Sequence, residues 1–60
     1  MTSKEIIKRL KKEGWTLEGQ TGSHTKWKHP DKKGIVTVPH PKKDFTKKTL
    51  ASIFKQAGWA

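Results

Sequence analysis

Apolar residues follow helical spacing at both ends of this chain and strand-like spacing between them. Ile6, Ile7 and Leu10 fall on one face of a helix, with Lys4, Lys8, Arg9, Lys11 and Lys12 around the remainder. Thr2 or Ser3 can cap that helix, Glu5 suits its first turn and can pair with Lys8 or Arg9, and Gly14 suits the position just past its end. A first helix is therefore predicted over about residues 3–13. Trp15-Thr16-Leu17-Glu18 alternates as a short strand does, and Gly19-Gln20-Thr21-Gly22 has the composition of a turn. A second strand is predicted over residues 24–29, a hairpin loop over Pro30–Gly34, and a third strand over the β-branched run Ile35–Val38. Pro39 and Pro41 end that strand. Leu50, Ile53, Phe54 and Ala57 return to helical spacing, so a second helix should begin near Thr46 or Lys47 and stop at Gly58, with Trp59 folding back on it.

The predicted order is αβββα, an α+β fold. A three-stranded antiparallel sheet needs one face covered to be stable, and two amphipathic helices at the chain ends can supply the cover. The stretch Gly22–His29 then acquires a meaning. Side chains alternate along a strand, so Thr25 and Trp27 share one face while His24, Lys26 and Lys28 share the other. Trp27 belongs toward the helices. The histidine and the two lysines belong on the open face.

Composition sharpens this picture. Sixty residues make one domain, residues 1–60, and a domain of that size buries only about 60% of its unfolded surface, with no room for a deep cavity. Hydrophobic residues are 30% and charged residues 32%, so the three Trp and two Phe must supply much of the core. Fourteen Lys and Arg against five Asp and Glu give a net charge of +9, a balance that favours a polyanion, most often nucleic acid. An absence of cysteine excludes disulfides and thiolate metal sites. No stretch approaches the roughly 20 apolar residues that span a bilayer, and no apolar core follows the N-terminal lysines, so no membrane partner and a cytoplasmic location are expected.

Among the candidate groups His24 ranks first. Histidine exchanges protons near neutral pH, and Lys26 and Lys28 on the same face can hold a phosphate beside it. The plainer alternative is a strand histidine that only hydrogen-bonds its neighbours. His29 lies on the opposite strand face and cannot share a metal with His24; His29 and His40, each beside proline, are expected to set the hairpin and the loop. Nothing in the spacing supports a zinc site, and no metal or other cofactor is expected. Lys42, Lys43, Lys47 and Lys48 surround the start of the second helix, where free backbone N–H groups already favour anions, and form the second candidate phosphate-binding group. Trp15 and Trp27 read as core rather than as base-stacking platforms. No Gly-rich phosphate loop, carboxylate pair or Ser-His-Asp set is present, and Ser23, facing away from His24 on a strand, does not form a dyad with it.

At these residues the chain resembles the HicA family of toxin mRNA interferases. The resemblance runs from Ser3–Lys8 and Gly14-Trp15 through the Gly22-Ser23-His24 triplet and His29-Pro30 to Val38-Pro39-His40 and Thr49–Gly58. The chain departs from the family pattern at Lys48, where members often carry Gly, and at His40–Lys43, a loop usually richer in glycine. The resemblance implies a double-stranded-RNA-binding-domain-like fold used as a ribonuclease, with His24 as the catalytic residue and Gly22-Ser23 as its supporting turn. It also implies a HicB-type antitoxin that covers the active face. The chemistry that fits is metal-independent cleavage of mRNA, with His24 as general base on a ribose 2′-OH and Lys26 and Lys28 stabilising the phosphoryl oxygens. The competing readings are a non-catalytic RNA- or DNA-binding module on the same basic surface, and a partner domain docking an acidic protein.

Overall fold

A capping box starts the first helix. The Thr2 hydroxyl accepts the Glu5 backbone N–H, and the Glu5 carboxylate accepts the Thr2 N–H at 2.8 Å, so α1 runs Ser3–Lys12. The computed structural model describes residues 1–60. The Glu5 carboxylate is thus engaged at the cap rather than with Lys8 or Arg9; Arg9 pairs instead with Glu13 at i,i+4, 3.1 Å apart. Gly14, at φ 96°, reverses the chain, and the Trp15 N–H returns to the Leu10 carbonyl at 3.0 Å. That bond ends the helix one residue earlier than its apolar spacing predicts.

Three antiparallel strands follow in the order β1 (Thr16–Thr21), β2 (His24–His29) and β3 (Lys32–Pro39), with β2 in the centre. Both turns are tighter than the sequence suggests. The predicted turn at Gly19–Gly22 is strand up to Thr21, because Glu18 forms a one-residue bulge that puts Gly19 opposite Lys26. Only Gly22 and Ser23 remain to turn the chain, with Gly22 at φ 59°, the left-handed geometry that the first position of a type II′ turn requires. The predicted Pro30–Gly34 loop contracts in the same way. Pro30 and Asp31 make the turn, and β3 bulges through Lys33–Ile35 because Trp27 pairs with Val36 while His29 already pairs with Lys32. Gly34, with φ 87°, sits in the bulge rather than in the turn.

The second helix, α2, spans Lys47–Ala57 with Thr46 as its N-cap and Gly58, at φ 78°, as its left-handed C-cap. Trp59 folds back as expected: its N–H donates to the Phe54 carbonyl at 2.7 Å, and its ring meets Phe54 edge-on. The same indole donates to the Glu13 carboxylate at 2.7 Å, and the Arg9 guanidinium lies 4.0 Å from its ring centre. The end of the chain is thereby fastened to the end of α1.

Both helices pack on β3. The core combines Ile6 and Leu10 of α1, Trp15, Trp27 of β2, Val36 and Val38 of β3, Phe45, and Ile53 and Ala57 of α2. Leu50 and Phe54 pack at its margin. The distant edge strand β1 contributes nothing buried. Leu17 remains 51% exposed although its cross-strand partner Trp27 is buried. One polar side chain organises the interior: the Thr25 hydroxyl donates to the Val38 carbonyl at 2.6 Å and accepts the Trp27 indole N–H at 2.9 Å. On the outer edge of β3, the Gln56 side-chain oxygen accepts the Thr37 N–H.

Thr25→Val keeps the shape of the side chain but leaves the indole N–H and one carbonyl bond unmade inside the core. It is expected to cost about 1–3 kcal/mol, measurable by urea unfolding; an unchanged midpoint would show that this network is dispensable. Two carboxyls contribute to the pH dependence of stability on the acid side. Glu5 is held below its ordinary value of 4.5 by the backbone N–H and hydroxyl of Thr2, and Glu13 by the Trp59 indole and then by Arg9. In the window from about 4.5 down to these lowered values the unfolded chain binds more protons than the folded one. Stability therefore rises with pH through that window and is lost as pH falls through it. In the Glu5→Gln/Glu13→Gln chain the slope of Tm against pH in this window should flatten, and an equally steep slope would contradict the assignment.

Candidate nucleic-acid interface

The central strand presents its two faces as its sequence alternation predicts. Thr25 and Trp27 are buried against the helices, while His24, Lys26 and Lys28 are exposed on the open side of the sheet. His24 is the first residue of β2, directly after the Gly22–Ser23 turn, and is flanked across the sheet by Thr21 and Pro39. The turn is held from the other side, because the Ser23 carbonyl accepts the His40 N–H at 2.6 Å. A histidine at the end of a central strand, beside a fixed two-residue turn, has a backbone that cannot drift.

Successive residues on one face of a strand stand about 6.6 Å apart, which puts Lys26 one step and Lys28 two steps from His24. Lys26 faces Gly19 on one side and Thr37 on the other, so no neighbouring side chain competes for its ammonium group through size or opposite charge. Lys28 is different. The bulge brings Glu18 within 3.8 Å of its Nζ. Both side chains are well exposed, and such pairs contribute only about 0–1 kcal/mol, so an incoming phosphate can displace the carboxylate.

The remaining predicted lysines do not join this face. The backbone of Lys42 is joined to the start of α1: the Ser3 N–H donates to the Lys42 carbonyl, and the Lys42 N–H to the Ser3 hydroxyl, both at 2.8 Å. The Lys42 ammonium lies 5.3 Å from the Phe45 ring centre. Lys43 is exposed in the same loop, and Lys47 and Lys48 form the exposed first turn of α2, which carries no acidic residue. These four cations lie in the loop and helix layer. Adjacency in sequence groups them with Lys26 and Lys28; the sheet divides them.

The two other histidines are each hydrogen-bonded within the fold. The Nε2 of His29 bonds the Glu13 carbonyl at 2.9 Å, its Nδ1 accepts the Asp31 N–H, and its ring meets Trp15 edge-on. His40 bonds Ser3 through Nδ1 at 2.7 Å. No three His, Asp or Glu side chains converge anywhere in the protein in a way that could hold a metal ion.

A feature that sequence spacing did not single out lies on α1. Lys4, Ile7, Lys8 and Lys11 form a shallow groove of about 320 Å³ that His40 completes. Lysines at i, i+4 and i+7 are visible in the sequence as one helix face, but nothing local places His40 beside them.

The family of HicA toxins of bacterial toxin–antitoxin systems matches residues 3–59. The chain belongs to this family. A solved structure, that of a HicA3 and HicB3 toxin–antitoxin complex, contains a chain 40% identical to this one, superposable with a TM-score of 0.79 and covering 97% of this chain and 94% of that one. Among curated proteins none matches at a significant level. The αβββα fold of this HicA toxin is therefore shared with that chain.

In this HicA toxin Gly22 has open space around it and a positive φ, so adding a methyl group tests the backbone alone. Gly22→Ala is expected to cost about 1–2 kcal/mol, which for a domain of this size lowers Tm by roughly 4–8 °C per kcal/mol. An unchanged Tm would mean that the turn before His24 tolerates other geometries.

Proposed function

We propose that this HicA toxin is a ribonuclease that cleaves mRNA on the open face of its sheet, with His24 as the general base. The observation that carries the proposal is the position of His24. It is the one histidine presented to solvent on the open face, at the end of the central strand, with Lys26 and Lys28 beside it. The imidazole takes the proton of a ribose 2′-OH, and the 2′-oxygen attacks the adjacent phosphorus. The bond from phosphorus to the 5′-oxygen of the next nucleotide breaks, and that oxygen gains a proton from His24 or from water. The products are a 2′,3′-cyclic phosphate and a 5′-hydroxyl. Negative charge that grows on the two free phosphoryl oxygens is met by Lys26 first and by Lys28 after it leaves Glu18.

General-base catalysis contributes a factor of about 10²–10⁴. Positioning on a flat, rigid strand and charge stabilisation by the lysines supply the rest. The chemistry asks nothing of a metal ion, because the nucleophile belongs to the substrate. A HicB-type antitoxin, the partner in the structurally similar complex, neutralises the toxin by covering this face.

His24→Ala is expected to abolish cleavage of mRNA and growth arrest in cells, by at least about 10²-fold in rate, while RNA binding persists. RNA bound but never cut by the wild-type chain would instead identify a binding module. An RNA whose scissile ribose lacks its 2′-OH should survive intact, and addition of a chelator should leave cleavage of normal RNA unchanged. Cleavage of the deoxy-substituted RNA, or its loss in chelator, contradicts the mechanism.

A further inference from the structure

The groove on α1 is built at a cost to the helix that carries it. Lys4 lies in the first turn, where the helix dipole disfavours a cation, and Lys4, Lys8 and Lys11 repel one another at i, i+4 and i+7. No carboxylate relieves them. Glu5 is engaged at the cap with Thr2, and Glu13 with Arg9 and Trp59. The protein forms only two ion pairs, Arg9–Glu13 and Lys28–Glu18, so none of the three groove lysines has an acidic partner.

His40 adds a directed donor. Ser3 is 1% exposed, and its hydroxyl oxygen already accepts the Lys42 N–H. Its single proton has one acceptor within reach, His40 Nδ1 at 2.7 Å. That assignment leaves the neutral ring with its hydrogen on Nε2, on the side away from Ser3, in a residue that lines the groove. The ammonium groups of Lys4 and Lys8, that of Lys11, which also lies 5.9 Å from the Trp27 ring centre, His40 and the apolar side chain of Ile7 thus surround one shallow space. The chemistry they accept is that of a phosphate ester. His40 also ties this groove to the catalytic turn, because its backbone N–H holds the Ser23 carbonyl at 2.6 Å.

We propose that this groove is a second RNA-backbone subsite: it takes phosphates flanking the scissile one and, through His40 and Ser23, sets where the RNA lies relative to His24. The inference rests on the ribonuclease reading above; the groove lies in the helix layer as Lys42–Lys48 do, and what sets it apart is the bond from His40 to the turn before His24.

The test uses the full chain carrying His24→Ala, so that RNA stays intact, and a fluorescent single-stranded RNA titrated at several salt concentrations. Removing one lysine–phosphate interaction should reduce the slope of log K against log salt by about 0.7. Lys4→Gln/Lys8→Gln is expected to bind several-fold more weakly, with a slope shallower by about 1.4. A control, Lys12→Gln/Lys55→Gln, removes the same charge elsewhere and should change the slope by much less. In the otherwise wild-type chain, Lys4→Gln/Lys8→Gln should raise KM more than it lowers kcat. If the groove variant and the control lose affinity and slope equally, the groove is only part of a diffuse basic surface and the proposal is overturned. If the chain without the groove substitutions binds no RNA at all, the ribonuclease reading fails, and the subsite with it.

Discussion

The alternation of β2 is the constraint on which the rest depends. Thr25 joins Val38 and Trp27 by two short hydrogen bonds inside the core, and this fixes which residues of the central strand point inward. A one-residue slip of a strand moves every side chain to the other face. In this chain such a slip would bury His24, Lys26 and Lys28 and expose Trp27. A 60-residue core cannot tolerate either outcome, so folding and exposure of the candidate chemical face are one event. The flanking bulges in β1 and β3 absorb the mismatch between strands, leaving β2 regular from His24 to Lys28.

What was legible in the sequence follows from how local its cause is. The N-terminal cap at Thr2 or Ser3, the start of α2 near Thr46, the stop at Gly58 and the span of β2 rest on residues within a few positions, and they were readable. The turns were not, because the lengths of β1 and β3 are decided by pairing across the sheet. Glycines at 19 and 34, read as turn residues, lie within the strands, one opposite Lys26 and the other in a bulge. The identity of the open face needed only alternation and the choice of Trp27 as core. The α1 groove needed a contact between residues 3 and 40, which no spacing along the chain encodes.

Electrostatics then give the molecule its direction. Fourteen basic residues against five acidic ones leave a surface with two ion pairs, and each of those is exposed and weak. A surplus of this size attracts a polyanion from any side. The sheet sorts it: Lys26 and Lys28 stand with His24, Lys42–Lys48 line the approach to α2, and Lys4, Lys8 and Lys11 line α1. Membership of the HicA toxin family and the likeness to a toxin in complex with its antitoxin give this surface a biological setting. In the proposed reading, His24 gives it a reaction.

The proposed reaction is tested directly on the ends of the RNA fragments. Mass spectrometry of the fragments produced by the purified toxin should find a 2′,3′-cyclic phosphate on one side of each cut and a 5′-hydroxyl on the other, because the attacking oxygen belongs to the substrate. A 3′-hydroxyl facing a 5′-phosphate would mean that water attacks instead, and would contradict the role assigned to His24.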